Sequence, residues 1–519
     1  MNDLNENLPA TAAVQPILVP GRNCWRIEHC DRASVIVDAE AYYRLVRRAM
    51  AAAQHRILII GWDFDTRIQL EPDEHRGETL GRFILSLARN DANRRIDILK
   101  WSFGAKKQFL HPSAVWMLWR WARTKAIDFH FDSAHPPGCS HHQKIVVIDD
   151  QLAVCGGIDI AAGRWDTPHH ADDAPQRRLP NGKPYPPWHD VTMMLTGPVA
   201  AALGELGSDR WLRATHEQLE PVPSPAQNLW PGKELPVQFE NVVIGIARTR
   251  ARYEYLAEIR EIEALYLDMI AAARRFVYIE NQYFTSAKLA AAITKRLQEP
   301  EPPEFVLIMP RAAEGWLEQM AMDAARVQLV RRIAQSDRQN RFRVYVPVTR
   351  HGADIYVHAK VSIVDDRLLR IGSSNLNNRS LGLDSECDVI IDSALEPNHD
   401  TTETIARLRT DLLSEHLDVT PETFSAEFER LGSLVQTIES LRGAGKTLDL
   451  LDLVAPGPLD EYIAENELLD PESADGFLEP MSERGLKKRW SQSLAKLRRR
   501  TSGLRHKTVR EGKKPHDAN

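Results

Sequence analysis

The sequence predicts an α/β protein with two similar halves. Short β-branched runs alternate with stretches of helical periodicity along most of its 519 residues, which is typical of strands that alternate with helices. One short motif occurs twice, at 142–149 and at 358–365. The predicted elements around the two copies follow the same order, at an offset close to that between the motifs. We therefore expect a duplicated α/β unit.

Each copy of the motif contains a histidine, a lysine two residues later, a β-branched run and an aspartate. The copies are His142, Lys144 and Asp149, and His358, Lys360 and Asp365. Residues two apart on a strand point to the same face, so an imidazole and an ammonium group should project together from each copy. A nucleophilic base beside a fixed cation suits attack on a phosphate. A single copy would also fit a buried histidine beside a packed lysine, but two copies with matching neighbours favour catalysis.

The aspartates of the motif have a different predicted role. Asp149 and Asp365 lie seven residues after their histidines, an odd offset, and each opens the turn into the next strand. They belong to the catalytic motif, but we expect them to hold the turn or a neighbouring side chain rather than to contact substrate.

The other elements are predicted from periodicity in chain order. In the first half these are a helix at 38–54, strands at 56–61 and 95–101, a helix at 113–125 and a strand at 127–131. In the second half they are a helix at 262–275, strands at 276–279 and 305–309, a helix at 316–333 and a strand at 342–346. Strands alternating with helices in this way predict a largely buried sheet.

Composition indicates a globular protein without a membrane span. The hydrophobic share is 43%, the net charge is −6, and no apolar run approaches the length that crosses a bilayer. Residues 1–20 lack the features of a signal peptide, so cytoplasmic synthesis is expected, and export without a signal stays open. The five cysteines show no metal-type spacing and are interpreted as reduced thiols, although Cys24 and Cys30 would be able to pair after export.

Changes in composition suggest the domain boundaries. A Pro-rich linker is predicted at 221–236. The five predicted segments are an N-terminal extension at 1–35, a first domain at 36–220, that linker, a second domain at 237–445 and a tail at 446–519. A second Pro-rich stretch, 167–188, is either a wall over the site or a solvated insertion. Its 169–173 segment holds two histidines and two aspartates, but without a regular element to fix their geometry we expect no metal site there.

The duplicated motif resembles the paired H-x-K-x4-D motifs of the phospholipase D superfamily. Further segments resemble that family at 156–159, 188–191, 279–284 and 372–380. The likeness covers roughly 36–445. It implies two phospholipase D-type domains, each a mixed sheet flanked by helices, packed face to face about a pseudo-twofold axis with the active site between them. It also implies catalysis without a cofactor or a metal ion.

The resemblance implies roles for the paired residues. His142 corresponds to the nucleophile that forms a phosphohistidine, and His358 to the acid that then serves as a base. The sequence alone leaves open which histidine has which role. Lys144 and Lys360 are expected to hold the non-bridging phosphate oxygens.

Other residues match supporting positions of the family. Asp190 and Glu386 match carboxylates that orient the two imidazoles, with an ordinary sheet-edge carboxylate as the competing interpretation. Asn375, and with less support Ser373, match phosphate contacts. The first half has Asp159 at the position of Asn375, and since an acid would repel phosphate we expect Asp159 to be structural.

The implied function is a phospholipase D, a hydrolase that converts glycerophospholipids to phosphatidate and alcohol, with transphosphatidylation as a further activity. The alternatives are a cardiolipin synthase-type phosphatidyltransferase and a phosphodiesterase or nuclease of the same superfamily. A phospholipid substrate is expected and nucleic acid is not. The oligomeric state is undetermined.

The tail changes from acidic to basic near residue 484. Leu486, Trp490, Leu494 and Leu497 recur at helical spacing among Lys and Arg residues. This pattern predicts a basic amphipathic helix at a membrane surface, and hence a peripheral membrane protein. A solubilising tail and a nucleic-acid-binding arm are the competing interpretations.

Overall fold

The computed structural model describes residues 15–74, 77–91, 93–101, 112–223, 228–313 and 316–453. The predicted tail helix lies outside these residues. Within them, none of the helices combines the length and apolar character that crossing a membrane requires.

The described part of the chain contains strands in both halves and near both ends. In the first half they are β1 (Arg26–Val37), β2 (Arg56–Gly61), β3 (Arg95–Trp101), β4 (Ile127–Asp132), β5 (Ile145–Ile148), β6 (Leu152–Gly156), β7 (Trp188–His189) and β8 (Val191–Thr196). In the second half they are β9 (Phe239–Arg250), β10 (Ile259–Arg260), β11 (Phe276–Glu280), β12 (Glu304–Ile308), β13 (Phe342–Val348), β14 (Tyr356–Val357), β15 (Val361–Val364), β16 (Leu368–Gly372), β17 (Glu386–Asp392) and β18 (Thr447–Leu450).

Helices connect these strands and cover the sheet. They are α1 (Ala39–Ala52), α2 (Leu80–Asn90), α3 (Pro112–Trp121), α4 (Pro198–Thr215), α5 (Glu261–Ala272), α6 (Ala287–Leu297), α7 (Trp316–Ser336), α8 (Thr402–Leu417), α9 (Pro421–Leu431) and α10 (Leu434–Leu441). Short helical turns occur at Gly232–Glu234, Arg379–Leu383 and Glu396–Thr401.

Both halves contribute to one continuous sheet. Its strand order is β18-β13-β12-β11-β15-β16-β17-β9-β1-β8-β6-β5-β2-β3-β4, with β10 added to β9. Read outward from the β1–β9 pair, the order β8-β6-β5-β2-β3-β4 in one half matches β17-β16-β15-β11-β12-β13 in the other. In each half three strands are parallel and the rest antiparallel. The prediction of two similar mixed-sheet units is confirmed, and their symmetry axis passes between β1 and β9.

The inner strands are mostly apolar because both of their faces are covered, with Asp97 and Lys100 in β3 and Glu280 in β11 as buried polar exceptions. In β2, Leu58 and Ile60 belong to the core between the halves, whereas Ile57 and Ile59 belong to the outer core under α1 and α2. A strand buried on both faces reads as a continuous apolar run. This explains why β2, β3, β5, β11 and β15 were predictable within one or two residues.

The central strands β1 and β9 were not predicted. Polar residues such as Arg26, Glu28 and Glu240 interrupt their apolar pattern, and the two strands find partners mainly in each other and in their neighbours. As a result β1 starts at Arg26, inside the segment expected to be an N-terminal extension. Similarly, β18 pairs with β13 beyond residue 445, where the second domain was expected to end.

The halves also face each other next to this junction. The sulfur of Cys155 in β6 lies 3.8 Å from that of Cys387 in β17. Both belong to one apolar cluster that draws residues from both halves. All five cysteines are free and buried, including Cys24 and Cys30.

Candidate active site

The two histidines of the motifs lie just before β5 and β15, where the chain leaves the sheet. The sequence predicted that His and Lys would sit within the strand, but regular pairing begins only at Ile145 and Val361. The His142 amide instead donates to the Ser385 carbonyl at 2.9 Å, and the His358 amide donates to the His189 carbonyl at 2.8 Å. Each motif therefore crosses to the opposite half, which brings the two imidazoles into one site.

Each imidazole is oriented by a carboxylate from the other half. His142 Nδ1 lies 3.0 Å and 3.1 Å from the two carboxylate oxygens of Glu386. His358 Nδ1 lies 2.7 Å from Asp190 Oδ2. The Nε2 atoms of both histidines have no hydrogen-bond partner among the described residues, so they are available to reacting groups. A carboxylate on Nδ1 fixes the tautomer and stabilises the imidazolium.

The two lysines have different partners. Lys144 Nζ donates to the His142 carbonyl at 2.9 Å and pairs with Asp159 Oδ2 at 3.1 Å. Lys360 Nζ donates to the His358 carbonyl and lies 3.4 Å from Gln282 Oε1. Burial without such a close carboxylate lowers the pKa of Lys360 to about 7. The charge of Lys144 is thus balanced by the Asp159 carboxylate, whereas Lys360 contacts only uncharged oxygens among the described residues.

Asp159 and Asn375 occupy equivalent positions with different contacts. Asp159 Oδ1 accepts hydrogen bonds from the amides of Trp62 and Asp63, both at 3.1 Å, while its other oxygen pairs with Lys144. Asn375 is 4% exposed, and its Oδ1 has no hydrogen-bond partner among the described residues. A buried carbonyl oxygen of this kind usually accepts from a protein, water or ligand donor, and the amide nitrogen beside it is the group that would donate to a phosphate.

Ser373 and Gly157 form a second unequal pair. The Ser373 hydroxyl donates to Glu386 Oε2, so in this structure its proton is used to hold that carboxylate. At Gly157 a Cβ would come within 2.1 Å of Asp190 Oδ1, which leaves room only for glycine. Both positions therefore support the carboxylate that orients a histidine of the opposite motif.

Comparison with known families identifies the chain. A family model described as "Phospholipase D" matches residues 49–223, and a model described as "Cardiolipin synthase, PLD-like domain" matches residues 266–409. Together the two matches cover more than half of the chain. The protein belongs to the phospholipase D superfamily. Among the relatives with known names, phospholipases D are well represented.

Those relatives are distant and longer. Phospholipase D alpha 1 of Nicotiana tabacum is 26% identical over 55% of this chain and 50% of its own. Phospholipase D alpha 1 of Carica papaya is 25% identical over 80% of this chain and 68% of its own. Phospholipase D1 of Saccharomyces cerevisiae is 28% identical over 49% of this chain and 20% of its own. The chain spans about half the length of the tobacco relative.

A solved structure shares the fold. The phosphatidylserine synthase of Haemophilus influenzae superposes with a TM-score of 0.53 at 12% identity, over 80% of this chain and 97% of its own. At this identity the match shows the fold alone, and it agrees with the duplicated architecture of the superfamily.

The electrostatics of this superfamily site favour uncharged imidazoles before substrate binds. Burial, followed by the charges of the two motif lysines, lowers the pKa of His142. Burial and Lys360 lower that of His358 in the same way. Burial raises the pKa of Asp190 to about 6 and raises that of Glu386 as well. A bound phosphodiester anion would add negative charge beside Lys144 and Lys360 and would raise the pKa of both histidines.

Two tryptophans form aromatic walls that the sequence did not assign to the site. The Trp62 ring meets His142 edge-on at 6.0 Å and stacks on Trp101. The Trp188 ring lies 5.2 Å from His358 and stacks on Tyr356 at 4.6 Å. A signal was present for both, since Trp62 directly follows β2 and Trp188 lies two residues before the carboxylate Asp190.

The motif aspartates hold the turns after β5 and β15. Both have a positive φ, 50° for Asp149 and 54° for Asp365, and so does the aspartate that follows each of them, as in a type I′ turn. The carboxylate of Asp149 accepts hydrogen bonds from the amides of residues 54–56. That of Asp365 accepts the equivalent bonds from residues 274–276. Neither carboxylate is directed at the histidines.

The inserted segment 167–188 packs against both halves of the molecule. Asp166 accepts from the Trp188 amide at 2.8 Å and from Arg177, which is 2% exposed. The polar residues of 169–173 do not converge: His169 is exposed, His170 is buried, and Asp172 pairs with His351. The segment thereby fixes the start of β7, where Trp188 contacts His358.

Proposed function

We propose that the protein is a phospholipase D that hydrolyses the distal phosphodiester of glycerophospholipids to phosphatidate and an alcohol. The observation that best supports this is the crossed pair of His–carboxylate contacts, in which a carboxylate of each half orients the motif histidine of the other half. Two such groups provide a nucleophile on one side of phosphorus and an acid on the other.

In the first step Nε2 of His142 attacks phosphorus while the bond to the head-group oxygen breaks. The negative charge of the bound phosphodiester favours the imidazolium form of His358, which donates its Nε2 proton to the leaving alcohol. In the second step His358 removes a proton from water, the resulting oxygen bonds to phosphorus, and the phosphorus–nitrogen bond to His142 breaks. Lys144 and Lys360 stabilise the charge on the non-bridging oxygens, and Asn375 donates to one of them.

The carboxylates serve the charged states of the two imidazoles. Phosphorylation at Nε2 leaves the His142 ring positively charged, and Glu386 accepts a hydrogen bond from its Nδ1. Asp190 does the same for the imidazolium form of His358. This chemistry draws its positive charge at phosphorus from the lysines and needs no metal ion there.

Phosphatidyl transfer is the second candidate function. The second half of the chain matches a model described as a cardiolipin synthase domain, and a phosphatidylserine synthase shares the fold. An alcohol would then replace water in the second step, with the same covalent intermediate. Both activities belong to a phosphodiesterase or phosphatidyltransferase of this superfamily.

We also propose that the protein binds membranes peripherally. The basic tail is the predicted anchor. In the described part of the chain, Trp116 and Trp119 on α3 are 52% and 53% exposed, and Arg120 and Arg123 lie over their rings. Tryptophan beside arginine suits the interface between anionic head groups and acyl chains.

The purified protein should be incubated with phosphatidylcholine, phosphatidylglycerol and single-stranded DNA, each with and without a primary alcohol. Release of free head group with phosphatidate supports hydrolysis, and formation of phosphatidyl alcohol or cardiolipin supports transfer. Nucleotide release without lipid turnover would contradict both candidate functions. The same assays with His142→Ala exclude a contaminating enzyme.

A further inference from the structure

A second group of titratable side chains lies beyond the Asp190–His358 pair and has no part in the chemistry proposed above. Its members are Asp38, before α1; His170, in the inserted segment; His189, in β7; and Glu415, in α8. The side chains of the first three are 0% exposed, and that of Glu415 is 12% exposed. Three members come from the first half and one from the second.

The ligand-type atoms of this group are close together. His170 Nε2 lies 3.0 Å from Glu415 Oε1 and 3.5 Å from Asp38 Oδ2. His189 Nδ1 lies 3.3 Å from Glu415 Oε1 and 3.4 Å from Asp38 Oδ1. A tetrahedral ion with bonds of about 2.0–2.2 Å to nitrogen and oxygen separates its ligand atoms by about 3.3–3.6 Å. The observed separations are close to that range.

Two of these atoms lack a hydrogen bond although they are buried. Asp38 Oδ2 and His189 Nδ1 have no hydrogen-bond partner among the described residues. Burying an unpaired polar atom is costly, so such atoms usually have a protein, water or ion partner. Both atoms are directed into the space shared by the four side chains.

The outward ring nitrogens of the histidines are held by carboxylates. His170 Nδ1 lies 3.0 Å from Asp166 Oδ2, and His189 Nε2 lies 2.9 Å from Glu280 Oε2. With protons on these nitrogens, His170 Nε2 and His189 Nδ1 would direct lone pairs inward, and an ion would replace the hydrogen bond between His170 Nε2 and Glu415 Oε1. A carboxylate behind each histidine is the usual arrangement around a protein-bound metal ion.

The charge of the surroundings also accommodates a divalent cation. Lys446 Nζ is 3.9 Å from Glu415 Oε1 and donates to the Pro168 carbonyl. The carboxylates near the two histidines are Asp38, Asp166, Glu280 and Glu415, and the permanent cations near them are Arg177 and Lys446. Two further positive charges balance this set, and either one divalent ion or two imidazolium groups supplies them.

We propose that Asp38, His170, His189 and Glu415 form a structural site for a tetrahedral divalent transition-metal ion, with zinc as the best match to two nitrogen and two oxygen ligands. The neighbouring group of His189, Glu280 and His416 is less suitable, because it offers three ligand atoms rather than four among the described residues. Its histidines are also held by separate oxygens of Glu280, at 2.9 Å and 3.1 Å.

The ion would support the active site without touching substrate. Asp38 Oδ1 accepts from the Asp190 amide at 3.1 Å, and the His189 carbonyl accepts from the His358 amide. An ion bound by Asp38 and His189 would therefore hold the Asp190–His358 pair in place. Through Glu415, the ion would also connect α8 of the second half to the ligands of the first half. The proposed ion site depends on this geometry alone and would stand even if the protein were not a phospholipase D.

Elemental analysis of the full-length protein, purified without added metal and dialysed against metal-free buffer, tests the site. We expect about one zinc or similar ion per chain in the wild type. His170→Gln and Glu415→Gln should each lose it, whereas the matched control His416→Gln should retain it. An ion that persists in both ligand variants, or that is lost only from His416→Gln, would overturn the proposal.

A second measurement covers the case in which a ligand variant fails to fold. Wild-type protein is kept with a strong chelator until its metal content falls, and its melting temperature is measured before and after Zn²⁺ or Co²⁺ is added. We expect the melting temperature to fall and recover, and bound Co²⁺ to show the visible absorption of a tetrahedral ion. A wild type that carries no ion, with a melting temperature unmoved by either metal, would show that imidazolium groups balance the charge instead.

Timing separates this structural ion from a catalytic one. Hydrolysis of a monomeric short-chain lipid should survive brief chelation and decline only as the melting temperature falls. Immediate loss of turnover, reversed by any divalent ion without a change in melting temperature, would place the metal at phosphorus and contradict a purely structural role.

Discussion

The two histidines of the site occupy near-symmetric positions, but the residues around them differ. His142 is held by the longer carboxylate of Glu386, which Ser373 supports, and its lysine is paired with Asp159. His358 is held by Asp190, and its lysine has no such pair. In the described part of the chain, the ammonium group of Lys144 is balanced by a carboxylate and that of Lys360 is not, so the two half-sites differ in net charge. Such a difference suits a reaction in which one histidine is a base and the other an acid.

Removing either histidine should abolish turnover, because in the proposed mechanism each acts from its own side of phosphorus. We expect His142→Ala and His358→Ala each to lower kcat by about three orders of magnitude or more, with unchanged circular dichroism and a similar melting temperature. His130→Ala, at a histidine whose side chain is 39% exposed, is the matched control. Hydrolysis near the wild-type rate in either active-site variant would refute the assignment.

Trapping the covalent intermediate assigns the roles. With a labelled short-chain substrate whose leaving group needs no proton, such as a p-nitrophenyl ester, His358→Ala should accumulate an acid-labile, base-stable phosphohistidine at position 142, because its formation then needs no acid and its hydrolysis lacks a base. His142→Ala should accumulate none. Label on His358 in the His142→Ala variant would mean that the two roles are exchanged.

Replacing the two motif lysines with methionine should have opposite effects on stability at pH 6. Lys360→Met removes a buried ammonium that lacks a close carboxylate, so the free energy of unfolding should rise by about 2 kcal/mol. Lys144→Met leaves Asp159 buried and unpaired, so the same quantity should fall by about 3 kcal/mol. Urea unfolding of both variants measures the changes. A less stable Lys360→Met protein at this pH would contradict the environment described here.

The gain from Lys360→Met should depend on pH. The folded pKa of Lys360, about 7, lies below its ordinary value of 10.5. Between these values the unfolded chain binds a proton that the folded chain does not, so wild-type stability at this residue rises with pH. The difference between variant and wild type should therefore be greatest below pH 7 and shrink toward pH 10. A difference that stays constant over this range would mean that charge is not its cause.

At the scale of elements, the turns after β5 and β15 position the motifs. Each turn has positive φ at two successive aspartates, and the first carboxylate of each accepts three backbone amides at the start of the neighbouring strand, β2 or β11. The strand pair on which His142 or His358 depends is thereby locked in register.

Asp149→Asn and Asp365→Asn test these turns. Asparagine tolerates positive φ, so the substitution removes charge and one acceptor oxygen without adding backbone strain. We expect each to lower the free energy of unfolding by about 1–3 kcal/mol, with turnover per folded molecule close to that of the wild type. The exposed Asp400→Asn is the control. Loss of turnover with full stability would instead give these aspartates a catalytic role.

At the scale of the whole molecule, the halves are joined through β1 and β9 and share both histidine–carboxylate pairs. The site therefore exists only when the halves are assembled. The segment 446–519, which includes β18, ends in the basic stretch that has a separate proposed task, namely to bring this assembled site to a lipid surface.

Deleting residues 481–519 should weaken binding to anionic vesicles. Each Lys or Arg near an anionic surface contributes about 1 kcal/mol, which salt screens, so the loss should be larger at low ionic strength. Hydrolysis of a monomeric lipid should be unchanged. Vesicle sedimentation at two salt concentrations, with neutral vesicles as the control, measures the effect. Unaltered binding after the deletion would show that the tail is not the anchor.

The sequence by itself determined many of the elements and the residues proposed to carry the chemistry. Fully buried strands such as β2 and β15 are written as continuous apolar runs, and a repeated His–Lys spacing is readable without coordinates. Family membership followed from the same motifs. These features are local, since each depends on residues within about ten positions of one another.

Only the tertiary structure decided which residues meet. The contact of Glu386 with His142, and of Asp190 with His358, spans 244 and 168 positions of the chain. The pairing of β1 with β9, the neutralisation of Lys144 by Asp159 and the convergence of His170, His189 and Glu415 are likewise not local. Such contacts are set by how two duplicated units pack about their axis, and burial at that junction is what shifts the charges of the site.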